Sequence, residues 1–533
     1  MGKNLFNSVK MTKPNKNTFD LSHEVKLSCN MGELIPIAAI DCVPGDSFRL
    51  GCQALIRMAP MVAPVMHQVN VTFHWYFVPN RLTWSGWEEW ITNDPQDPQL
   101  ASQFPVMSFQ ADEYGERSLA DYMGLPYGTP LNGDQDPSAD QVVSAIPFAA
   151  YQMIYNEYYR DQNLVDALYG QQGYLLEDGE QSAPIRAILH EKRIRAWEHD
   201  YYTSALPFAQ KGSAVSLPLG EITYDSTVPI ATGIEPIWRE LLGDATATDG
   251  TLSQTTGAGG PYIRTSGEDS ALGYDPKGSL VNTATTINDL RRAFRLQEYL
   301  EKNARGGTRY IEHILVHFGV KSSDARLNRP EYITGSKTGL VISEVLNTAG
   351  NADLELPQGN MAGHGVTVVN ARKYGTYYCE EHGYIMGIMS ILPRTAYQQG
   401  FPKHFLKHQN PTQYFYPSFA NIGEQPILNK EIYGWLPAGT DEGDADGTFG
   451  YTPRYAEYKF IDNRVAGSFK SSLSYWHMGR IFEEKPSLNS DFISSSPTTR
   501  IFAVPGAAEH LYCQILNTIK ATRPMPKFGT PSF

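Results

Sequence analysis

Strict alternation of apolar and polar positions is the strongest signal in this chain. Val69, Val71, Phe73, Trp75 and Phe77 share one face, and Asn70, Thr72, His74 and Tyr76 share the other. That period of two marks a strand with one face buried. Leu50, Cys52, Ala54, Ile56 and Met58 repeat the register just upstream. Further strands are predicted over residues 34–40, 310–320, 366–369, 384–392, 468–477, 501–504 and 511–519. Pro and Gly clusters bound many of them, for example Val43-Pro44-Gly45-Asp46. The strands gather towards the two ends of the chain, and such strands must close on one another as a sandwich or barrel to cover their edges.

A helical rhythm replaces alternation in the middle. Pro147 suits a first helical turn, and Phe148, Tyr151, Ile154, Tyr155 and Tyr158 then follow the i, i+3, i+4, i+7 spacing. A second helix is expected from Thr286, with Asp289 completing a capping-box variant, through Ile287, Leu290, Phe294 and Leu300 to a stop at Gly306-Gly307. Glu298–Lys302 and Glu301–Arg305 are i, i+4 pairs in the favourable order. Residues 244–285 hold 24 Gly, Ser, Thr or Ala in 42 positions, a composition that reads as an exposed loop or lobe tip. The organisation expected is one mainly β domain over 1–533. A large insertion over 79–309 carries helices near 147–164 and 286–304.

Composition sharpens this in two places. The 533 residues carry a formal charge of −13, which argues against a protein that binds nucleic acid through overall charge. Yet residues 94–182 alone contain 15 acids and 2 bases, so the acidity belongs largely to one inserted segment. Residues 1–19 hold Lys3, Lys10, Lys13 and Lys16 with no acid, and residues 510–533 hold Lys520, Arg523 and Lys527, also with none. These seven are candidate phosphate contacts, read against ordinary solvated tails. The five cysteines form no CxxC pair and read as buried free thiols of a reducing cytoplasm. The N-terminus lacks the apolar stretch of a secretory signal, and no run approaches the length of a membrane span.

Candidate chemistry is thin. His404 and His408 stand four apart, without the Glu of HExxH or a third ligand, and read as surface or interface residues. Glu442-Gly443-Asp444-Ala445-Asp446-Gly447 mimics the front of a calcium loop, but position twelve is Pro453. Asn132-Gly133-Asp134-Gln135-Asp136 continues into Pro137 where Gly is required. Both read as solvated turns. His74, His313 and His317 fall on predicted strands and read as packing residues. No nucleophile elbow, phosphate loop or catalytic constellation is present, so catalytic, cofactor and metal residues are all expected to be none. The excess is in tyrosine: Tyr151, Tyr155, Tyr158 and Tyr159 sit beside Glu157, Arg160 and Asp161, which favours packing or a subunit interface over base stacking.

Several segments together resemble one family, the major capsid proteins of the Microviridae, most closely its gokushovirus-like branch. They include Asn17-Thr18-Phe19-Asp20-Leu21-Ser22-His23, Phe77-Val78-Pro79-Asn80-Arg81-Leu82, and the run from Asn156-Glu157-Tyr158-Tyr159-Arg160 to Asn163-Leu164. His199-Asp200-Tyr201-Tyr202, Ala304-Arg305-Gly306-Gly307, Arg329-Pro330-Glu331-Tyr332, Pro393-Arg394-Thr395-Ala396-Tyr397 and Arg523-Pro524-Met525-Pro526 follow in order along nearly the whole chain. The resemblance implies an eight-stranded antiparallel jelly roll with long, partly helical insertions, assembling as a homo-oligomer into a T=1 icosahedral shell of a bacteriophage. It implies no enzymatic activity. The implied partners are a circular single-stranded DNA genome, a small basic DNA-packaging protein, a minor or pilot protein, and a host-cell surface receptor reached through exposed loops, with no membrane. The implied location is the virion, assembled in the bacterial host cytoplasm. Residues 213–285 depart from any fixed pattern and match the family's variable surface loop, expected at the threefold protrusion. A jelly-roll carbohydrate-binding or glycoside-cleaving protein is the competing reading, weakened because Glu88–Glu89 and Glu380–Glu381 are adjacent pairs that point to opposite faces of a strand.

Overall fold

Alternation at the two ends of the chain builds one ten-stranded antiparallel sheet. Its strands are β1 (Asn17–Asp20), β2 (His23–Cys29), β3 (Ile35–Cys42), β4 (Ser47–Met58), β5 (Val69–Pro79), β6 (Glu331–Leu346), β7 (Met361–Asn370), β8 (Gly375–Tyr378), β9 (Gly383–Pro393) and β10 (Leu511–Arg523). The computed structural model describes residues 15–92, 102–108, 115–126, 142–169, 173–216, 286–307, 309–346, 361–370, 375–435, 445–504, 506 and 509–528, with six short strands between 222 and 282. The sheet order is β1-β10-β4-β7-β6-β5-β9-β3, with β2 added to β10 and β8 to β4. Strand β6 pairs with β5 through Leu340 and with β7 from Val341 onwards, so it carries the sheet from one half to the other. The result is a curled half-barrel of the jelly-roll kind, mainly β, with helical insertions.

The inner face of this curl is the first core. Phe48, Leu50 and Ile56 of β4, Val71, Phe73, Trp75 and Phe77 of β5, Ile385 and Met389 of β9, and Ile515 and Ile519 of β10 are all buried there. Each such side chain contributes roughly 1.5–3 kcal/mol by leaving water. The outer face of β5 and β9, which the alternation marks as polar, is buried as well. Helix α1 (Ile146–Ile154) lies in the cluster that covers it, with Tyr76, Val78, Met386 and Ile388 packed against Phe148, Tyr151 and Ile154. Its polar groups are paired accordingly: Arg195 donates to the Thr72 and Ser390 hydroxyls, both at 2.7 Å. A third cluster joins Tyr201, Tyr202, Tyr397, Ile427, Ile432, Phe449 and Phe492.

Several expectations need correction. Residues 310–320 form a helix, α4 (Tyr310–Phe318), after α2 (Ala183–His190) and α3 (Ile287–Gly306). Ile311, Ile314, Leu315 and Phe318 follow the helical spacing, and Gly319 ends the helix at φ 67°. His313 and His317 are therefore one helical turn apart, with ring centroids 4.4 Å apart. Residues 468–477 form two short 3-10 turns, Gly467–Lys470 and Ser474–Trp476. Residues 501–504 make only a single bridge, Phe502 to Met61. The helix expected near 147–164 ends earlier, in a π turn over Tyr155–Tyr159, after which Arg160 is extended. The start of α3 is as expected, with Thr286 accepting from the Asp289 amide at 3.2 Å. The Glu298–Lys302 pair forms at 2.8 Å, whereas Arg305 turns to Glu424.

Residues Gln210–Lys302 form a compact unit of their own. Inside it Ile222–Tyr224 pairs with Leu280–Asn282, Ile237–Glu240 with Leu272–Asp275, and Gln254–Gly257 with Gly260–Ile263. Across residues 213–285, which include the segment read as an exposed loop or lobe tip, the described residues form three nested antiparallel pairs. All five cysteines are buried and free. No helix among the described residues is long and apolar enough to cross a membrane.

Candidate assembly and genome-contact surfaces

The tyrosine cluster is packed within the chain. Tyr151 is wholly buried, donates to the Leu34 carbonyl at 2.8 Å and accepts from the Arg193 amide at 3.1 Å. It therefore offers no surface to a second copy, which corrects its reading as an interface residue. Tyr155, Tyr158 and Tyr159 are half-buried. The Tyr158 hydroxyl donates to the Pro330 carbonyl at 2.6 Å, and the Arg329 guanidinium lies 4.5 Å from its ring centroid. Tyr159 reaches His74 Nδ1 at 2.7 Å and the Tyr76 hydroxyl at 3.2 Å. Burial, reinforced by Arg195, pulls the His74 imidazole down to about 4, so it is neutral at physiological pH.

A different set of aromatic and aliphatic side chains faces outward. Phe405 is 70% exposed, Ile461 89% and Trp435 67%, with Tyr414, Phe415 and Tyr458 each more than half exposed. Phe405 sits on the 3-10 turn Lys403–Leu406, Tyr414 caps the turn Pro411–Gln413, and Tyr458 ends the turn Ala456–Tyr458. Ring contacts tie Phe415 to Tyr455 and Tyr455 to Tyr458. Beneath, Lys407 is almost fully buried, pairs with Glu457 at 2.7 Å and sits 3.7 Å from the Tyr458 ring centroid. This support fixes the belt in place while leaving its apolar surface in water, an arrangement that marks interaction surfaces. His404 rides on the exposed 3-10 turn Lys403–Leu406, and His408 follows beyond its end, so the two do not share one helical face.

Tyr201, Tyr202, Tyr397, Glu431 and Asp462 line a cleft of about 480 Å³ beside the belt. Glu431 is buried, meets Lys403 Nζ at 2.5 Å and accepts from the Tyr201 hydroxyl at 3.1 Å. Burial nonetheless raises its pKa, against the pull of Lys403. Asp200 accepts from the Tyr397 hydroxyl at 2.7 Å and from the Thr203 amide at 2.7 Å. Among the described residues, no group of three or more His, Cys, Asp or Glu is placed to hold a metal ion. Residues 132–136 and 442–444 lie outside the described residues, and Asp446 is engaged by Lys430. Of the carboxylate pairs, Glu381 is bound in bidentate fashion by Arg81, at 2.7 and 3.1 Å. Glu89 accepts from the Ser102 hydroxyl at 3.0 Å.

The basic ends meet in the sheet, with Asn17 of β1 opposite Arg523 of β10. Lys3, Lys10 and Lys13 lie outside the described residues. Lys16 donates to the Gly45 carbonyl at 2.6 Å. Arg523 is occupied at the turn between β3 and β4: it donates to the Asp41 carbonyl at 2.7 Å and lies 3.5 Å from the buried Asp46 carboxylate. Lys520 and Lys527 are exposed.

Comparison with known proteins places these surfaces in context. The family model described as capsid protein (F protein) matches residues 7–533. The chain is 36% identical to capsid protein VP1 of Bdellovibrio phage phiMH2K, over 97% of this chain and 95% of that protein. It is 31% identical to capsid protein VP1 of Chlamydia phage 1, over 99% and 97% respectively. It is 29% identical to capsid protein VP1 of Spiroplasma virus 4, over 96% and 94%.

Proposed function

Since this chain belongs to the phage capsid (F protein) family, as a structural protein of the virion and not an enzyme, we propose how it does that work. It assembles as a homo-oligomer into a T=1 icosahedral shell around a circular single-stranded DNA genome. The observation that carries this is the supported aromatic belt of residues 401–422 and 455–461: one copy leaves this apolar surface in water, and symmetry-related copies cover it. Individually weak contacts repeated around closed symmetry give a strong shell. Residues 213–285 form the surface protrusion at the threefold axes, and the exposed loops meet a host-cell receptor. The termini, through Lys3, Lys10, Lys13, Lys16, Lys520 and Lys527, face the interior and touch phosphate. Arg523 is the weakest of these candidates because its guanidinium already holds the β3–β4 turn. So few charges cannot neutralise a genome, so a small basic packaging protein shares the task, beside a minor or pilot protein. Assembly takes place in the bacterial host cytoplasm.

Size-exclusion chromatography and negative-stain microscopy of the purified chain test the proposal. Closed, uniform particles are expected. A stable monomer that retains or hydrolyses glycans overturns it.

A further inference from the structure

Helix α4 is turned inside out. At helical spacing Glu312, His313, Val316 and His317 share one side, and Tyr310, Ile311, Ile314, Leu315 and Phe318 share the other. A surface helix ordinarily turns its apolar side to the core. Here the polar side holds the helix to the chain. The Glu312 carboxylate accepts from the Gln162 side-chain amide at 2.7 and 2.9 Å and from the Arg309 backbone N–H at 3.3 Å. His317 Nε2 lies 2.7 Å from the Asn303 side-chain oxygen, and Val316 closes on Gly306, where any side chain would collide with it. At the far end Gly319, at φ 67°, donates to the Leu315 carbonyl at 2.9 Å. The apolar side is left in water: Phe318 is 72% exposed, Tyr310 68% and Leu315 50%, and none of the helix's residues is buried. A helix fixed through its polar side, with its apolar side bare, is built for a partner.

This face carries both halves of a contact. Phe318 stands out at one end. At the other, Leu82, Met153, Tyr174, Tyr310 and Ile311 line a cavity of about 360 Å³, ample for a phenyl ring. Charged side chains along it already have partners, Arg81 in Glu381 and Arg329 in Asp324, so an entering ring strands no charge. Ile311 and Phe318 are about 10 Å apart along the helix. A twofold axis passing midway, at Ile314–Leu315, therefore brings Phe318 of each copy to the Ile311 end of the other.

We propose that α4 pairs antiparallel with α4 of a second copy of this chain across a twofold axis, each Phe318 entering the other copy's cavity. This rests on the shell reading above and supplies what the aromatic belt alone lacks. One head-to-tail contact closes a ring or runs on as a filament, so a closed shell needs a second, different contact to join the rings. α4 shares no residue with the belt. The bare side chains of α4 offer on the order of 500 Å² per copy, below the roughly 800 Å² per partner of a self-sufficient interface. The pairing is thus weak between free subunits and becomes strong where a shell repeats it at every twofold axis.

Two variants of the full chain test this. L315S/F318S should keep the parent's urea midpoint, yet stop at small rings in mass photometry where the parent closes shells. Closed shells at the parent's concentration overturn the proposal. So does a lowered midpoint, because the face is then packed within the chain. Y310C/V320C leaves Phe318 and Leu315 in place and puts thiols at the two exposed ends of the face, while the five native cysteines are buried. A short bismaleimide cannot span the two sites within one chain, about 15 Å apart at helical rise. On a denaturing gel of treated particles a dimer and nothing larger is expected, since both links join the same two chains. A ladder of higher bands means a head-to-tail contact, and no link at all means an uncovered face; either overturns the pairing. If the parent forms no shell, the shell reading fails, and the same cross-link on concentrated subunits still decides the pairing.

Discussion

Replacing Asp462 by Asn is expected to remove most of one pH dependence from the stability of the subunit. Asp462 lines the cleft beside the aromatic belt, and its Oδ1 is buried with no hydrogen-bond partner. Burial first, and the neighbouring Asp200 carboxylate second, push its pKa from 3.8 to about 7, while a hydrogen bond from the Tyr201 backbone opposes them. An acid whose pKa is raised by folding keeps its proton in the native state after the unfolded chain has released it. Its contribution is therefore fully present below about pH 4 and is lost as pH rises towards 7. Three units at about 1.36 kcal/mol each give about 4 kcal/mol as the most this one group takes away by pH 8. Asn has the same shape and cannot ionise. Urea unfolding of dissociated subunits at several pH values from 4 to 8 reads the difference. Glu431, whose pKa is also raised by burial, is present in both proteins. The variant should gain on the parent steadily between pH 4 and 7 and level off above. Parallel pH profiles would refute the reasoning, because Asp462 would then ionise as freely in the folded chain as in the unfolded one.

Three further outcomes are expected. Tyr151→Phe leaves the buried Leu34 carbonyl and Arg193 amide without their partner and lowers stability by about 1–3 kcal/mol, read by chemical denaturation; no change would mean the hydroxyl is not structural. Phe405→Ser with Ile461→Ser, both on exposed side chains, should leave subunit stability within about 0.5 kcal/mol while raising the concentration needed for assembly in light scattering. Assembly at the parent's concentration would remove the belt from the subunit contact. Replacing Lys3, Lys10, Lys13 and Lys16 by Ser should reduce the DNA retained in particles, most visibly at low salt where phosphate contacts are strongest; unchanged retention would count against interior contact by the N-terminal arm.

The strands most legible in the sequence are those whose two faces differ in chemistry. β4, β5 and β10 alternate cleanly because their inner residues, such as Ile56, Phe73 and Ile515, meet one core, whereas β9 reads as a continuous apolar run because both its faces are buried, Ile385 in one core and Met386 in another. β6 was illegible for a physical reason: Gly335, Lys337 and Gly339 interrupt any apolar rhythm, and the strand changes partners at Leu340–Val341. The helix at Tyr310–Phe318 reads as a strand because Ile311, Ile314 and Val316 favour both states, and only the spacing to Phe318 and the left-handed Gly319 decide it. Tyrosine excess points to a dense aromatic region, but spacing alone does not separate Tyr151, turned inward, from Tyr414 and Tyr458, exposed at the ends of short 3-10 turns. The basic termini were visible in composition. That Arg523 closes on Asp41 and Asp46 was not, because those partners lie nearly five hundred residues away.

Closed assembly is the centre of this account, and particle mass is its most direct measure. Mass photometry of empty particles assembled from the purified chain alone should give one narrow peak near 3.6 MDa, about the mass of sixty copies of a 59.4 kDa chain closed by icosahedral symmetry. A single species at the mass of one chain, or a broad ladder without a closed end point, would contradict it.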